Sequence, residues 1–169
     1  MSLLDIVTYP DEFLLKPTKS VENIDEDLQQ FIDSMAETMY AANGIGLAAI
    51  QVGKSRSLIV YDVQQQEDGR KLDVLINPRI IEMEGQTISE GEGCLSVPDY
   101  RSNVKRAERI LVEGYDREGK PERIEAEGML AIVLQHEIDH LNGKLFIDRI
   151  SLLRRELYKK RIRKKLKAS

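Results

Sequence analysis

The segment from Met129 to His140 limits the fold more than any other part of this chain. Its first six residues are all apolar, which is typical of a helix buried in a protein core. Its second half carries the only two histidines of the chain, His136 and His140, with Glu137 between them. A buried helix tolerates such polar groups only where other interactions offset their desolvation. The segment therefore predicts a central helix that carries a functional site and ends at Asn142-Gly143, a common helix C-cap.

The spacing of the two histidines is typical of a metal site. On a helix, residues four apart lie on one face with Cβ atoms roughly 6 Å apart, so both imidazoles can bind one ion. Glu137 would lie beside that ion, where its carboxylate can accept a proton from water. Met129, Ile132 and Val133 precede His136 by seven, four and three residues and share its face. They predict an apolar wall for a substrate side chain, although core packing would explain them equally well.

A third metal ligand could come from three places. A third histidine at the position used by metzincin peptidases is absent, because Phe146 stands there. A downstream carboxylate, as in thermolysin-like peptidases, could come from Asp148 or Glu156. We favour the only cysteine, Cys94, because the two glycines of the segment 90–94 let the backbone approach closely and a metal-bound thiol is deprotonated. The alternative for Cys94 is an inert buried thiol.

The middle of the chain is rich in β-branched and apolar residues between short turns. Strands are predicted at 57–63, 72–77 (ending at Pro78), 79–83, 86–89, 110–115 and 123–126, with turns at Asp68-Gly69, Glu84-Gly85 and Glu118-Gly119. Short turns favour antiparallel pairing. With helices at 25–42 and 151–169, we expect an α+β fold, in which small, mainly antiparallel sheets surround the buried central helix. We expect a single catalytic domain over residues 1–169.

The charge of the chain is divided unevenly. The net charge is −4, but residues 151–169 hold nine Lys or Arg and one acid, a net +8, which leaves −12 for residues 1–150. This basic C-terminal helix could be a solvated helix that keeps the protein in solution, or it could contact phosphate-rich RNA. One cysteine forms no internal disulfide, and no segment approaches the ~20 apolar residues of a membrane span. With no signal peptide evident at the start, we expect a cytoplasmic protein.

Three segments, taken together, resemble the signature motifs of the peptide deformylase family. Gly44–Gln51 is similar to the motif Gly-x-Gly-Leu-Ala-Ala-x-Gln, and Glu92–Ser96 to Glu-Gly-Cys-Leu-Ser. Gln135–Gly143 is similar to Gln-His-Glu-x-Asp-His-Leu-x-Gly. All three match in full and in order, and no catalytic position departs from the pattern. The resemblance implies an enzyme that removes the formyl group from N-formylmethionyl nascent peptides and releases formate.

The resemblance also implies the metal site. Cys94, His136 and His140 would bind one metal ion per chain, with water in the fourth position. The metal would be Fe²⁺ in the cell, replaced by Ni²⁺, Co²⁺ or Zn²⁺ in preparations. The ligand types alone would suit zinc as well, so only the resemblance favours iron.

The remaining implied roles concern the reaction and the substrate. Glu137 would act as general base and then as acid towards the leaving amine. The side-chain amide of Gln51 and the backbone N–H of Leu95 would stabilise the tetrahedral oxyanion. We expect Ile45 and Gly46 to line the substrate site together with the apolar helix residues.

The expected partners are the formylated nascent peptide and, through the basic C-terminal helix, the ribosome. Neither DNA nor a membrane is expected. One alternative is a zinc peptidase that cleaves internal peptide bonds and uses a carboxylate as third ligand. Another is a ribosome-binding factor with a structural metal, but such sites usually have four protein ligands, and the chain contains no fourth His or Cys.

Overall fold

The computed structural model describes residues 2–64 and 69–168. The predicted turn residue Asp68 and the terminal Ser169 lie outside these ranges. The helices within them are α1 (Glu26–Ala41), α2 (Gly128–Leu141) and α3 (Leu152–Ala168). The strands are β1 (Gly46–Ala48), β2 (Leu58–Tyr61), β3 (Asp73–Glu84), β4 (Thr87–Cys94), β5 (Val97–Arg106), β6 (Arg109–Tyr115) and β7 (Pro121–Glu127). Short 3-10 turns cover Glu12–Leu15, Ala49–Val52 and Phe146–Arg149.

The strands form two antiparallel sheets. The larger has the order β1-β2-β3-β6-β7, and the smaller is the pair β4-β5. Each pairing between neighbouring strands is antiparallel. The predicted α+β fold with small antiparallel sheets is therefore confirmed.

The larger sheet lies between two helices. Because successive strand residues point to opposite faces, Ile59 and Tyr61 of β2 pack in the core around α2, while Leu58 and Val60 pack in the core around α1. The face towards α2 receives its apolar residues Ala131, Val133, Leu134, Ile138 and Leu141. The predicted central helix is thus buried over most of its length, with its first turn at the surface.

Helix α1 closes the other face of the sheet. Leu28, Ile32, Met35 and Met39 follow helical spacing and are all buried against it. The side chain of Asp25 caps the helix by accepting a hydrogen bond from the N–H of Leu28 at 2.9 Å. The helix predicted at 25–42 is confirmed.

The strand predictions were wrong at several places. Strand β3 does not end at Pro78 but continues to Glu84. The register shifts between Ile76 and Arg79, and Asn77 has φ 50°, so Pro78 falls in a bulge where its missing N–H costs no ladder hydrogen bond. The strand predicted at 86–89 is longer, since β4 continues to Cys94. No strand was predicted at 46–48 or 97–106, where the structure has β1 and β5.

The basic C-terminal helix is observed as α3. Its one buried residue, Tyr158, packs in a third apolar cluster with Leu14, Val97 and Phe146. No helix in residues 2–64 or 69–168 combines the length and apolar character needed to cross a membrane.

Candidate active site

Three possible metal ligands come together from two separate elements. Cys94 is the last residue of β4, and His136 and His140 lie one turn apart on α2. One ligand atom from each residue lies within 4.8 Å of the other two. The sulfur of Cys94 is 3.3 Å from Nε2 of His140, and the two imidazole rings are 5.0 Å apart at their centroids. The three side chains are therefore close enough to bind one ion.

The chemistry of these three groups fits a transition metal. Burial lowers the pKa of His140, which keeps its imidazole neutral, as metal ligation requires. Nδ1 of His136 lies 2.7 Å from Oε1 of Glu92, which leaves Nε2 of this ring for an ion. A thiolate with two imidazoles is a donor set that zinc, iron and related metals accept.

The two carboxylates considered as third ligand, Asp148 and Glu156, are not grouped with the histidines. Phe146, at the position of the third metzincin histidine, is buried and stacks against His136 at 6.2 Å. Asp148 accepts a hydrogen bond from the N–H of Leu145 at 2.9 Å and thereby caps a 3-10 turn. Glu156 is exposed on α3. Within the described residues, the only group of three or more possible ligands is the one that contains Cys94.

Glu137 is the titratable group best placed for proton transfer. Its carboxylate is buried, and Oε1 has no hydrogen-bond partner among the described residues. Oε2 lies 4.0 Å from Nε2 of His136. Burial raises the pKa of Glu137 to about 7, against the opposing effect of His136. A carboxyl group with such a pKa can both accept and release a proton near neutral pH.

The Gly44–Gln51 segment packs directly against this carboxylate. A Cβ added to Gly46 would lie 2.6 Å from Oε2 of Glu137, so only glycine leaves room for it. Gln51 is buried, and its Oε1 accepts a hydrogen bond from the N–H of Ala48 at 2.9 Å. This bond orients the amide so that Nε2 donates to Oγ of Ser96 at 3.0 Å and lies 3.6 Å from the sulfur of Cys94.

A buried ionic network contacts His136 through Glu92. Glu92 accepts hydrogen bonds from Arg106, and its Oε1 contacts Nδ1 of His136. Burial alone would raise the pKa of Glu92, but these two partners lower it to about 2. Nη1 of Arg106 donates to Asp139 at 2.8 Å. Arg149 donates to both oxygens of Asp139, at 2.6 and 2.8 Å. The network thus fixes the ring orientation of His136.

The sequence analysis assigned no role to the members of this network. Two acids in buried segments, Glu92 and Asp139, were the available signal, because buried carboxylates need partners. Nothing local identified Arg106, which lies 14 residues from one acid and 33 from the other.

One cleft of about 780 Å³ is lined by most of the predicted site residues. It is lined by Ile45, Gly46, Gln51, Cys94, Leu95, Met129, Ile132, Val133, His136 and Glu137. The opposite wall comes from β4 and the start of β5, at residues 89–94, 97 and 99–101. His140 is fully buried behind this surface. The arrangement can hold a metal, a buried acid–base group and an apolar side chain next to one another.

The sequence profile of the family described as polypeptide deformylase matches residues 3–156. The chain belongs to the peptide deformylase family. A curated peptide deformylase from Desulfosudis oleivorans is 55% identical over 167 residues, which cover 99% of this chain and 96% of the relative. The crystal structure of a peptide deformylase from Legionella pneumophila has a TM-score of 0.88 and 46% identity, and the match covers 98% of each chain.

A second solved peptide deformylase, from Ehrlichia chaffeensis in complex with actinonin, has a TM-score of 0.90 and 39% identity, again over 98% of each chain. The predicted family and the prediction of a hydrolase are therefore confirmed. Peptide deformylases are metalloenzymes that remove the N-formyl group from nascent peptides.

Proposed function

We propose that this peptide deformylase hydrolyses the formamide of N-formylmethionyl peptides with Glu137 as general base and with Cys94, His136 and His140 as metal ligands. One observation carries the proposal. The buried carboxylate of Glu137, with an unpartnered oxygen and a pKa of about 7, lies in the same cleft as the possible ligands. In this proposal residues 1–169 act as a single catalytic domain in the cytoplasm.

The metal has a limited and defined part in this proposal. When bound, it would act as a Lewis acid on the formyl carbonyl and lower the pKa of water. We infer Fe²⁺ as the native ion because of the family, with Ni²⁺, Co²⁺ or Zn²⁺ as possible replacements. The ligand set of Cys94, His136 and His140 would hold any of these, and Glu92 would keep His136 in the orientation that presents Nε2.

Glu137 moves the proton. Its carboxylate accepts a proton from the attacking water while the new oxygen–carbon bond forms. It then gives that proton to the amine nitrogen as the carbon–nitrogen bond breaks, so that formate and a free N-terminus result. Because burial raises the pKa of Glu137 above its usual value, the same carboxyl group can accept a proton in the first step and release it in the second.

Two hydrogen-bond donors would stabilise the oxyanion between these steps. The amide of Gln51 is held by Ala48 so that Nε2 faces Cys94 and Ser96. The backbone N–H of Leu95, next to Cys94 in the chain, would be the second donor. Loss of one such donor typically raises the barrier by about 3 kcal/mol.

The apolar side of the cleft would receive the methionine side chain. Ile45 and Met129 line the cleft and are 40% and 56% exposed, respectively. Exposed apolar side chains in a concave site are typical ligand contacts. Gly46, Ile132 and Val133 complete this wall.

The basic C-terminal helix would bring the enzyme to its substrate. Nine Lys or Arg in residues 151–169 give this helix the charge expected of an RNA contact, and the nascent peptide emerges from an RNA-rich particle. We therefore propose the ribosome as partner. A purely solvated helix is the alternative.

Formate release tests the proposed chemistry. The metal-loaded protein should release formate from formyl-Met-Ala-Ser and should not cleave the unformylated peptide. Glu137→Gln should retain the metal but lose activity by roughly 10²- to 10⁴-fold, the usual contribution of a general base. Glu125→Gln, at an exposed position on β7, is the matched control. Normal formate release by Glu137→Gln would rule out the base assignment.

The same assay distinguishes a deformylase from the rival enzyme class, a zinc peptidase. A zinc peptidase would cleave unformylated peptides and would stay active as Cys94→Ala, whereas a deformylase should lose both metal and activity in this variant. Because the E. chaffeensis relative was crystallised with actinonin, we also expect actinonin to compete with the formyl peptide.

A further inference from the structure

A short segment of β5 forms a bulge in its pairing with β4 at the edge of the cleft. Cys94 pairs with Val97, and Glu92 pairs with Ser102. Between these two pairs β5 has four residues, 98–101, while β4 has only Gly93. We call residues 98–101 the cleft bulge. Three of them, Asp99, Tyr100 and Arg101, line the active-site cleft. Because the ladder does not hold this segment, other contacts must set its position.

Helix α3 supplies such contacts. Tyr158, which is 2% exposed, lies 4.5 Å from Tyr100 between ring centroids. The guanidinium of Arg161 lies 5.6 Å from the ring of Tyr100 and 5.3 Å from the ring of Tyr158. Nη2 of Arg161 also donates to the backbone carbonyl of Asp99 at 3.1 Å. The helix therefore holds both the backbone and the aromatic side chain of the cleft bulge.

The bulge contains one residue with an uncommon backbone conformation. Asp99 has φ 61°, in the left-handed region that aspartate adopts more readily than most residues with a side chain. The ring of Tyr100 stacks on Phe146 at 6.1 Å, and Phe146 stacks on His136 at 6.2 Å. A continuous aromatic row thus runs from α3 through the cleft wall to a possible metal ligand.

The position of the bulge indicates which part of a substrate it meets. The apolar residues assigned to methionine lie on the α2 side of the cleft, and the reacting formyl group belongs beside Cys94. The wall that remains, at residues 99–101, is available to the peptide residues that follow methionine. This placement of the substrate rests on the proposed function.

We infer that Tyr158 and Arg161 are positioning residues for the deformylation of peptides, because they hold the cleft bulge against the residues that follow formylmethionine. Helix α3 is then part of the substrate-binding machinery as well as a basic surface. The effect is on binding of the extended peptide and not on the chemical step.

Two substrates of different length, formylmethionine amide and a formylated pentapeptide, test the positioning role on the metal-loaded full chain. Arg161→Ala should raise KM for the pentapeptide by about fivefold, the equivalent of one cation–π interaction. We expect kcat, and KM for formylmethionine amide, which has no residue after methionine, to stay the same. Arg79→Ala removes a cation from an exposed ion pair on β3, outside the cleft lining, and should match the wild type with both substrates.

A second pair of variants distinguishes loss of positioning from a folding defect. Tyr158→Ala should raise KM for the pentapeptide further, and Tyr158→Phe should restore it, because the hydroxyl of Tyr158 has no hydrogen-bond partner among the described residues. The melting temperature of each variant shows whether it stays folded at the temperature of the assay.

The outcomes are distinct. An unchanged KM for the pentapeptide in Arg161→Ala and Tyr158→Ala, or an equal change with both substrates, overturns the positioning role. Absence of formate release by the wild type with either substrate overturns the proposed function, and the positioning role with it.

Discussion

At the scale of single residues, the tightest constraint in the site is the space between Gly46 and Glu137. β1 passes so close to α2 that a Cβ at position 46 would lie 2.6 Å from Oε2 and 2.9 Å from Cγ of Glu137. Atoms that close repel strongly, so either the strand or the carboxylate must shift. The glycine thus fixes where the proposed base can lie.

Gly46→Ala should therefore lower kcat/KM by roughly 10²-fold, because displacement of a reacting group by about 1 Å has effects of this size. The metal content should stay the same, since the three atoms nearest to such a Cβ all belong to Glu137. Formate release and metal analysis of the folded variant check this prediction. Gly69→Ala, where the added methyl meets nothing within 4 Å but φ is 80°, shows what backbone strain alone does away from the site. Full activity of Gly46→Ala would show that the carboxylate does not need this position.

The residues of the site differ in how far the sequence alone could predict them. His136 and His140 share one helix, so a local spacing was enough to pair them. Assignment of Cys94 as a ligand needed the Glu92–Ser96 motif as well, because Cys94 is close to the histidines in the fold but distant from them in the sequence. Glu92 carried a signal as an acid in a buried segment, but nothing local paired it with Arg106 or His136, since contacts between distant segments leave no periodic pattern.

At the scale of secondary structure, α1 was predicted well because its burial is periodic, and α2 because its apolar run is continuous. α1 presents an apolar stripe to the sheet, and most of α2 is buried between the sheet and the site. Strand β5 was missed because two of its buried positions, Ser102 and Arg106, are polar, and because Pro98 lies near its start. Its pairing with β4 comes from the turn at Cys94–Val97 and not from a hydrophobic pattern.

The charge of α3 makes a prediction at the same scale. The variant Lys160→Gln/Arg163→Gln/Lys164→Gln/Lys167→Gln removes exposed cations but keeps Tyr158 and Arg161. It should bind ribosomes more weakly, and the slope of log K against log salt should become shallower by up to about 0.7–0.9 for each phosphate that the helix no longer neutralises. Co-sedimentation over a range of salt concentrations measures both effects.

The control for this experiment removes the same number of cations from the body of the protein, at Lys54, Arg79, Arg109 and Arg123. These side chains are exposed on other surfaces. If the α3 variant and the body variant bind ribosomes equally well, the basic C-terminal helix does not contact the ribosome.

At the scale of the whole molecule, the proposed metal would join the two sheets. Cys94 belongs to the small sheet, and His136 and His140 lie on the helix that packs on the large one. The ion would therefore contribute to the stability of the entire domain.

Removal of the metal should lower the melting temperature. Metal at about 1,000 times its Kd adds roughly 4 kcal/mol to the free energy of unfolding. For a chain of this length, that corresponds to a decrease on the order of 10 °C upon chelation. Calorimetry with and without a chelator, with metal content measured in parallel, checks this value. His140→Ala, which lacks one proposed ligand, should show no such response, and an unchanged melting temperature of fully metal-free wild type would contradict the prediction.

The order of the proposed ligands along the chain has a consequence for biosynthesis. His140 follows Cys94 by 46 residues, and α2 is made after all seven strands. While translation is in progress, the thiol therefore emerges long before the imidazoles with which it would share an ion. Loading with metal must then wait until nearly the full polypeptide has been synthesised, and during that interval the sulfur is open to oxidants.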